Sequence, residues 1–246
     1  YIKRIVLENI RGFEQLDFEL ERPDKSYAGW TVITGDNGSG KSALLKAVAV
    51  AVAGKPTGQV LQSSSFKGWL RANQSQGVIA VEISIDGGDD RFTEAGRPTI
   101  NSFWAELELL SNGGAEPDLR PGKKYTRKGK TPVRGPWSDN PKGWFCCGYG
   151  PFRRLYGASS DAMRLMAGPS RIQRFVSMFR EDAALSECEG WLTNLHNRSR
   201  DGSQKDEEVL SVVRQLLDDD FLPHGVRIKR VDSEGLWLCD SSSVVL

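Results

Sequence analysis

The chain lacks any apolar run near the ~20 residues needed to span a bilayer. Its longest candidate, Ala43 to Ala53, is interrupted by Lys46. It also lacks an excess of either charge, since 33 Lys+Arg against 32 Asp+Glu leave a formal +1 over 246 residues. No global field announces nucleic acid, membrane or an acidic substrate, so any such partner must be read from local patches. Four cysteines are present, with Cys146 and Cys147 adjacent and Cys188 and Cys239 isolated. That spacing fits neither a zinc site nor a small secreted disulfide framework. His196 and His224 stand apart, which argues against metal chemistry built on histidine. The opening stretch YIKRIVLENIRGF alternates apolar and polar residues where a signal peptide would carry one apolar block. A reducing cytoplasm is the expected home. Internal repeats and a long coiled coil are missing as well.

What is present is enough length to bury a core. Ile2, Arg4 and Val6 alternate with Ile5 and Leu7, a turn falls at Arg11-Gly12, and Leu16, Phe18 and Leu20 alternate again, so a β-hairpin is expected first. Trp30 to Thr34 reads as a short strand, and Lys41 to Ala53 as a helix stopped by Gly54 and Pro56. GVIAVEISID (77–86) reads as a strand with RFTEAG returning beside it, and GWFCCGYG reads as a buried strand. Residues 95–142 are rich in Gly, Pro and charge and are expected to form a surface excursion, with NSFWAELELL a short helix or strand inside it. Helical patterns follow in SRIQRFVSMF, in EDAALSECEGWLTNLHNRS with Trp191 and Leu195 in a core, and in QKDEEVLSVVRQLLDDDF with an apolar stripe of Val209, Val212, Val213, Leu216 and Leu217. A last hairpin is expected over 226–246.

Between the expected strand and helix lies Gly35-Asp36-Asn37-Gly38-Ser39-Gly40-Lys41-Ser42, which fits G-x-x-x-x-G-K-[ST] without a gap. Consecutive backbone N–H groups must curl around phosphate oxygens, and glycine is required where a Cβ would block the bend or push the anion away. Lys41 would neutralise the β/γ oxygens and is the one candidate catalytic side chain. Ser42 would ligate Mg²⁺ through its hydroxyl, and the positive end of the helix dipole adds stabilisation for the anion. Gly35, Asn37, Gly38, Ser39, Gly40, Lys41, Ser42 and the following Ala43 are thus candidates for binding Mg-ATP. The alternative is a chance Gly/Ser turn before a helix.

IVLENIRGFEQLDFEL followed by WTVITGDNGSGKSALLKAV resembles the start of the SMC, RecF and OLD-type ATPases of the ABC superfamily. The resemblance rests on Asn9, Ile10, Arg11, Gly12 and Phe13 together with Gly35 to Ser42. It implies an α/β fold, the N-terminal lobe of an ABC-type P-loop NTPase head with an antiparallel β-hairpin, a central sheet and a helical insertion. It places Arg11 close to the nucleotide phosphates and Asn37 along the γ-phosphate; a solvated turn residue is the other reading of Arg11. CCGYGPFRRLYG is similar to a stretch of bacterial OLD and antiphage ATPases, with Arg153 and Arg154 either near phosphate or DNA, or solvated over a core containing Phe152 and Leu155. The family's glutamine after the corresponding strand is missing, since none occurs between 143 and 172, and Gln173 sits deep in a helical pattern.

Hydrolysis needs an acidic residue ending an apolar strand and a neighbouring glutamate to orient water. Asp86, Asp232 and Asp240 end apolar stretches, yet none has the glutamate beside it, and no L-S-x-G signature occurs. By the resemblance, the chain reads as the N-terminal portion of such a head: a P-loop core over 1–94, the basic excursion over 95–142, a strand with a helical subdomain over 143–224, and a hairpin over 225–246. LRPGKKYTRKGKTPVRGPW concentrates Arg120, Lys123, Lys124, Arg127, Lys128, Lys130 and Arg134. DNA contact through Lys123, Lys124, Arg127, Lys128 and Lys130 is one use of this patch, and a solvated loop is the other. The expected activity is an ATPase that dimerises, or forms a higher homo-oligomer, around Mg-ATP and controls DNA or an effector nuclease or toxin in antiphage defence or DNA repair. A non-hydrolysing ATP-binding scaffold for such a partner is the alternative.

Overall fold

The opening hairpin forms as its alternation dictates. In the computed structural model, β1 (Ile2–Ile10) and β2 (Phe13–Glu19) pair antiparallel with Ile10 opposite Phe13, which leaves Arg11 and Gly12 as the two-residue turn. The structure describes residues 1–27, 29–61, 66–85, 90, 102–113, 115–126, 133, 137, 144–151, 157–168, 170–184, 187–219, 222, 225–232 and 235–240. The chain divides into two units, Tyr1–Phe152 with Ser160–Glu181, and Arg153–Ser159 with Asp182–Leu246.

In the first unit β3 (Gln76–Ser84), β4 (Ser102–Asn112) and β5 (Ala115–Pro121) join the hairpin in one antiparallel sheet of order β2-β1-β3-β4-β5. One face carries Ile5, Leu7, Ile79, Val81, Ile83, Phe103, Ala105, Leu107 and Leu109 against α1 (Lys41–Ala53). Leu7, Ile79, Ile83, Leu107 and Leu109 are wholly buried, and each contributes about 1.5–3 kcal/mol relative to exposure. α2 (Lys55–Leu61) follows α1 directly after Gly54. The other face holds a smaller cluster of Val6, Val78 and Ala80 under Trp104 and Tyr125. The short helices α3 (Ser160–Met166), α4 (Ser170–Gln173) and α5 (Val176–Phe179) complete this unit.

The second unit contains α6 (Glu187–Arg200), α7 (Gln204–Asp218) and a hairpin of β6 (Arg227–Asp232) and β7 (Gly235–Cys239) around Leu192, Leu195, Leu210 and Val231. Ser203 caps α7, its hydroxyl accepting from the Asp206 N–H at 3.4 Å, and Arg198 pairs with Asp206 across the α6–α7 turn at 3.1 Å.

Several expectations are corrected. Within the 95–142 excursion NSFWAELELL takes the strand alternative and extends into a hairpin of β4 and β5 that belongs to the main sheet: β4 buries every second residue, and the glutamate-rich pattern hid this because Glu106 itself is buried. Trp30 to Thr34 joins no ladder; Ile33 packs on the core while Trp30 and Val32 are 89% and 81% exposed. Residues 144–150 form no strand either. They run against residues 174–178, with the Gly148 N–H donating to the Arg174 carbonyl at 2.9 Å, and a Cβ on Gly150 would lie 2.1 Å from the Ser177 oxygen. Trp191 is exposed while Leu195 is buried, and on α7 the covered side runs through Val209, Leu210 and Val213, leaving Val212 and Leu216 in solvent. RFTEAG, Asp86 and residues 152–155 lie outside the described residues.

Candidate functional site

Backbone geometry shapes the glycine-rich loop before any side chain does. Gly35, Gly38 and Gly40 have φ of 151, 83 and 94°, values that side chains with a Cβ rarely adopt. Gly40 is doubly constrained, because an added Cβ would stand 2.8 Å from Cζ of Phe13, the first residue of β2. The Ser39 N–H donates to the Asp36 carbonyl at 3.2 Å and closes the bend. Lys41 turns its ammonium back onto the loop, donating to the Gly35 and Asp36 carbonyls at 2.7 Å each and to Ser39 Oγ at 3.4 Å. The first α1 bond runs from the Leu44 N–H to the Gly40 carbonyl at 2.9 Å. The amides of Lys41, Ser42 and Ala43 therefore precede the helical ladder, with no side-chain cap and no acidic residue in the first turn. Such an end favours an anion.

A cavity of about 550 Å³ opens over this loop, lined by Asn37 to Ala43 on one side and by Arg11, Gly12 and Phe13 on the other. Every expected site residue except Gly35 lines it, and Gly35 holds the lysine through its carbonyl. Ser42 is exposed on the first turn of α1. The residues fit a polyphosphate: the cradle depends on positions where a Cβ is excluded, and a lysine stands at its base. They also place a serine hydroxyl where the chemistry of Mg²⁺, a hard cation, calls for oxygen.

Arg11 reaches the cavity from the hairpin turn at φ 50°. Its guanidinium lies over the Trp69 indole, 4.8 Å from the ring centroid, and desolvation lowers its pKa from the ordinary value. Lys46, further along α1, is pushed down as well, first by burial and then by the Arg11 charge, and its ammonium sits 5.7 Å from the Phe179 ring centroid. Phe13 enters the sequence reading only through the family resemblance, as part of the turn motif and not as a wall of the site, and Trp69 does not enter it at all. The place of Phe13 directly after the Arg-Gly turn was an available signal; nothing in sequence marks Trp69.

The basic segment starts on the opposite face of the sheet. Buried Glu106 accepts from the backbone N–H groups of Lys124, Tyr125 and Thr126 at 2.7, 2.9 and 2.8 Å and from the Thr126 hydroxyl at 2.9 Å. The Lys124 ammonium pairs with Glu8 at 2.7 Å, and the Tyr125 hydroxyl donates to the same carboxylate at 2.5 Å. Burial pulls the Glu8 carboxyl up, but these hydrogen bonds outweigh it and leave the group below its ordinary range. Tyr125 is pushed up to about 12 by burial and by Glu8. Lys123 is exposed, whereas Arg127, Lys128 and Lys130 lie outside the described residues. The patch is thus partly neutralised at its root.

Other candidates stand apart. The Gln173 amide donates to the Gly168 carbonyl at 2.6 Å, and Asp232 accepts from Trp237 Nε1 at 3.1 Å while pairing with Arg230. Among the described residues no cluster of His, Cys, Asp and Glu is arranged for a metal, and no helix is long and apolar enough to cross a membrane.

No curated protein matches the chain. Among solved structures, one from work on ATP-driven dimerization and DNA-stimulated activation of SMC ATPases is similar at 16% identity and a TM-score of 0.35, covering 50% of this chain and 72% of that one. The model of the AAA domain family matches residues 4–130, more than half of the chain, including the hairpin turn and the loop that line the cavity. The chain belongs to the AAA domain family.

Proposed function

We propose that the chain binds Mg-ATP in the cavity over the glycine-rich loop. The observation that carries this reading is the union of three positive-φ glycines, an uncapped helix start and Lys41 on one surface. In the bound state the Lys41 ammonium exchanges the Gly35 and Asp36 carbonyls for phosphate oxygens, a charge-assisted and stronger pairing. The backbone amides of Gly38 and of residues 40–43 donate to the same anion, and Arg11 supplies a second positive charge from the hairpin. Mg²⁺, when bound, neutralises oxygens of the terminal phosphates, with the Ser42 hydroxyl as a ligand. Membership of the AAA domain family supports ATP turnover. Following the resemblance to SMC, RecF and OLD-type ATPases, two copies close around nucleotide and so control access of DNA or of an effector nuclease, in antiphage defence or DNA repair. Exposed Lys123 and the charged residues after it offer phosphate contacts.

A second reading has its own support. Among the described residues that line the cavity none carries a carboxylate, the group that would orient water for attack. A non-hydrolysing scaffold that organises a toxin or nuclease by binding ATP fits that composition. Calorimetry with Mg-ATP on the wild type and on Lys41→Ala tests the shared claim: tight binding is expected only for the wild type, and equal binding by both sinks it. Phosphate release with and without DNA then separates enzyme from scaffold.

A further inference from the structure

One short stretch holds the Arg11 turn in place. The Arg11 N–H donates to the Trp69 carbonyl at 2.7 Å, and the Arg71 N–H donates to the Asn9 carbonyl at 2.9 Å. The Arg71 guanidinium donates to the Gly12 carbonyl at 3.1 Å, and Ile10 bridges Leu70. These contacts over-determine a turn whose Asn9 and Arg11 both sit in the left-handed region, at φ 53 and 50°. Lys46 faces Arg11 with like charge, so electrostatics alone would not hold the guanidinium where it is.

Trp69 supplies what does. Its ring is wholly buried, packs edge-on against Phe66 and turns a face to the Arg11 guanidinium. Its indole N–H has no partner among the described residues. The bulk of an indole fills this part of the core, but that leaves the buried donor unexplained as a choice, and indole is the best aromatic face for a cation. Resting on the nucleotide-binding reading above, we propose that Trp69 is a positioning residue for the nucleotide. It holds the Arg11 guanidinium at the cavity wall, so that the cation meets the terminal phosphate of a triphosphate already oriented.

The test is a cycle of Arg11→Ala, Trp69→Leu and the double variant, with Mg-ATP and Mg-ADP affinities measured by calorimetry. Each single change should weaken ATP on the order of fivefold and ADP much less, and the double variant should be no weaker than Arg11→Ala alone. Additive losses, or equal losses for ADP and ATP, overturn the proposal. Should Trp69→Leu fail to fold, Trp69→Phe takes its place: it retains a ring face and should stay within about twofold of the wild type. A folded Trp69→Phe that falls as far as Arg11→Ala refutes the stack. Without nucleotide, the Arg11 δ-methylene protons should show an upfield ring-current shift in NMR spectra, and its absence would sink the stack directly. A wild type that shows the shift yet binds no Mg-ATP would instead sink the nucleotide reading, and the positioning role with it.

Discussion

Replacing Gly40 with alanine probes the phosphate cradle where it is least tolerant. The backbone there stands at φ 94°, and forcing an L side chain into the left-handed region costs roughly 1–2 kcal/mol. The new Cβ would also stand 2.8 Å from Phe13 Cζ and 3.0 Å from Cε2. Phe13 is only half-buried, so its ring can yield by leaving its rotamer, at about 0.5–1.5 kcal/mol. The total is roughly 1.5–3.5 kcal/mol, which lowers the midpoint of thermal unfolding by about 3–14 °C. If the loop relaxes by opening instead, stability falls less, but the amides that face the cavity diverge and Mg-ATP affinity drops at least about tenfold, the effect of one charge-assisted hydrogen bond. Thermal melts followed by circular dichroism, with calorimetry on the same samples, read both quantities. Adding Phe13→Ala should recover the clash and leave the φ penalty, a coupling of about 1 kcal/mol. A Gly40→Ala protein that melts and binds Mg-ATP like the wild type would refute the geometry of the loop.

Glu106→Ala strands three backbone N–H groups that the carboxylate now accepts from, so a loss of about 3 kcal/mol or more is expected; limited proteolysis should cut after Lys123 or Lys124 in the variant and spare the wild type. Tyr125 contributes to stability in alkali with a definite sign: burial and Glu8 push it up to about 12, above the ordinary tyrosine value of 10.0, so the contribution is complete below pH ~10 and lost between ~10 and ~12. In Tyr125→Phe, the fall in melting temperature across that window should shrink; an unchanged slope argues against a Tyr125 hydroxyl held neutral by burial and by Glu8. Since Glu8 already neutralises Lys124, Lys123→Ala should weaken binding of a DNA duplex more than Lys124→Ala in fluorescence anisotropy at low salt. The reverse order would show that the ion pair opens for DNA.

The loop and α1 were legible because their constraints are local: eight consecutive positions each answer to a bend, a charge or a helix start. The hairpin was legible for the same reason, since alternation and an Arg-Gly turn suffice to set its register. The β4–β5 hairpin was obscured by a buried glutamate, whose partners are backbone amides up to 20 residues away. Sequence pattern treats an acidic residue as a vote for the surface, and only the tertiary hydrogen bonds reverse it. Trp30 to Thr34 and residues 144–150 have the composition of strands, but a strand also needs a neighbour, which no local pattern supplies. Trp69 lay beyond reach for a related reason: its meaning depends on Arg11, 58 residues earlier in the chain.

Four of the five alanines of α1, at 47, 49, 51 and 53, are each at most 3% accessible, and Val50 and Val52 between them are equally enclosed. From Ala49 to Ala53 every residue of the helix is buried, so an extra methylene at any of these positions presses on packed neighbours. Evolutionary drift at these positions should be as tightly limited as in the loop itself, although none of them lines the cavity.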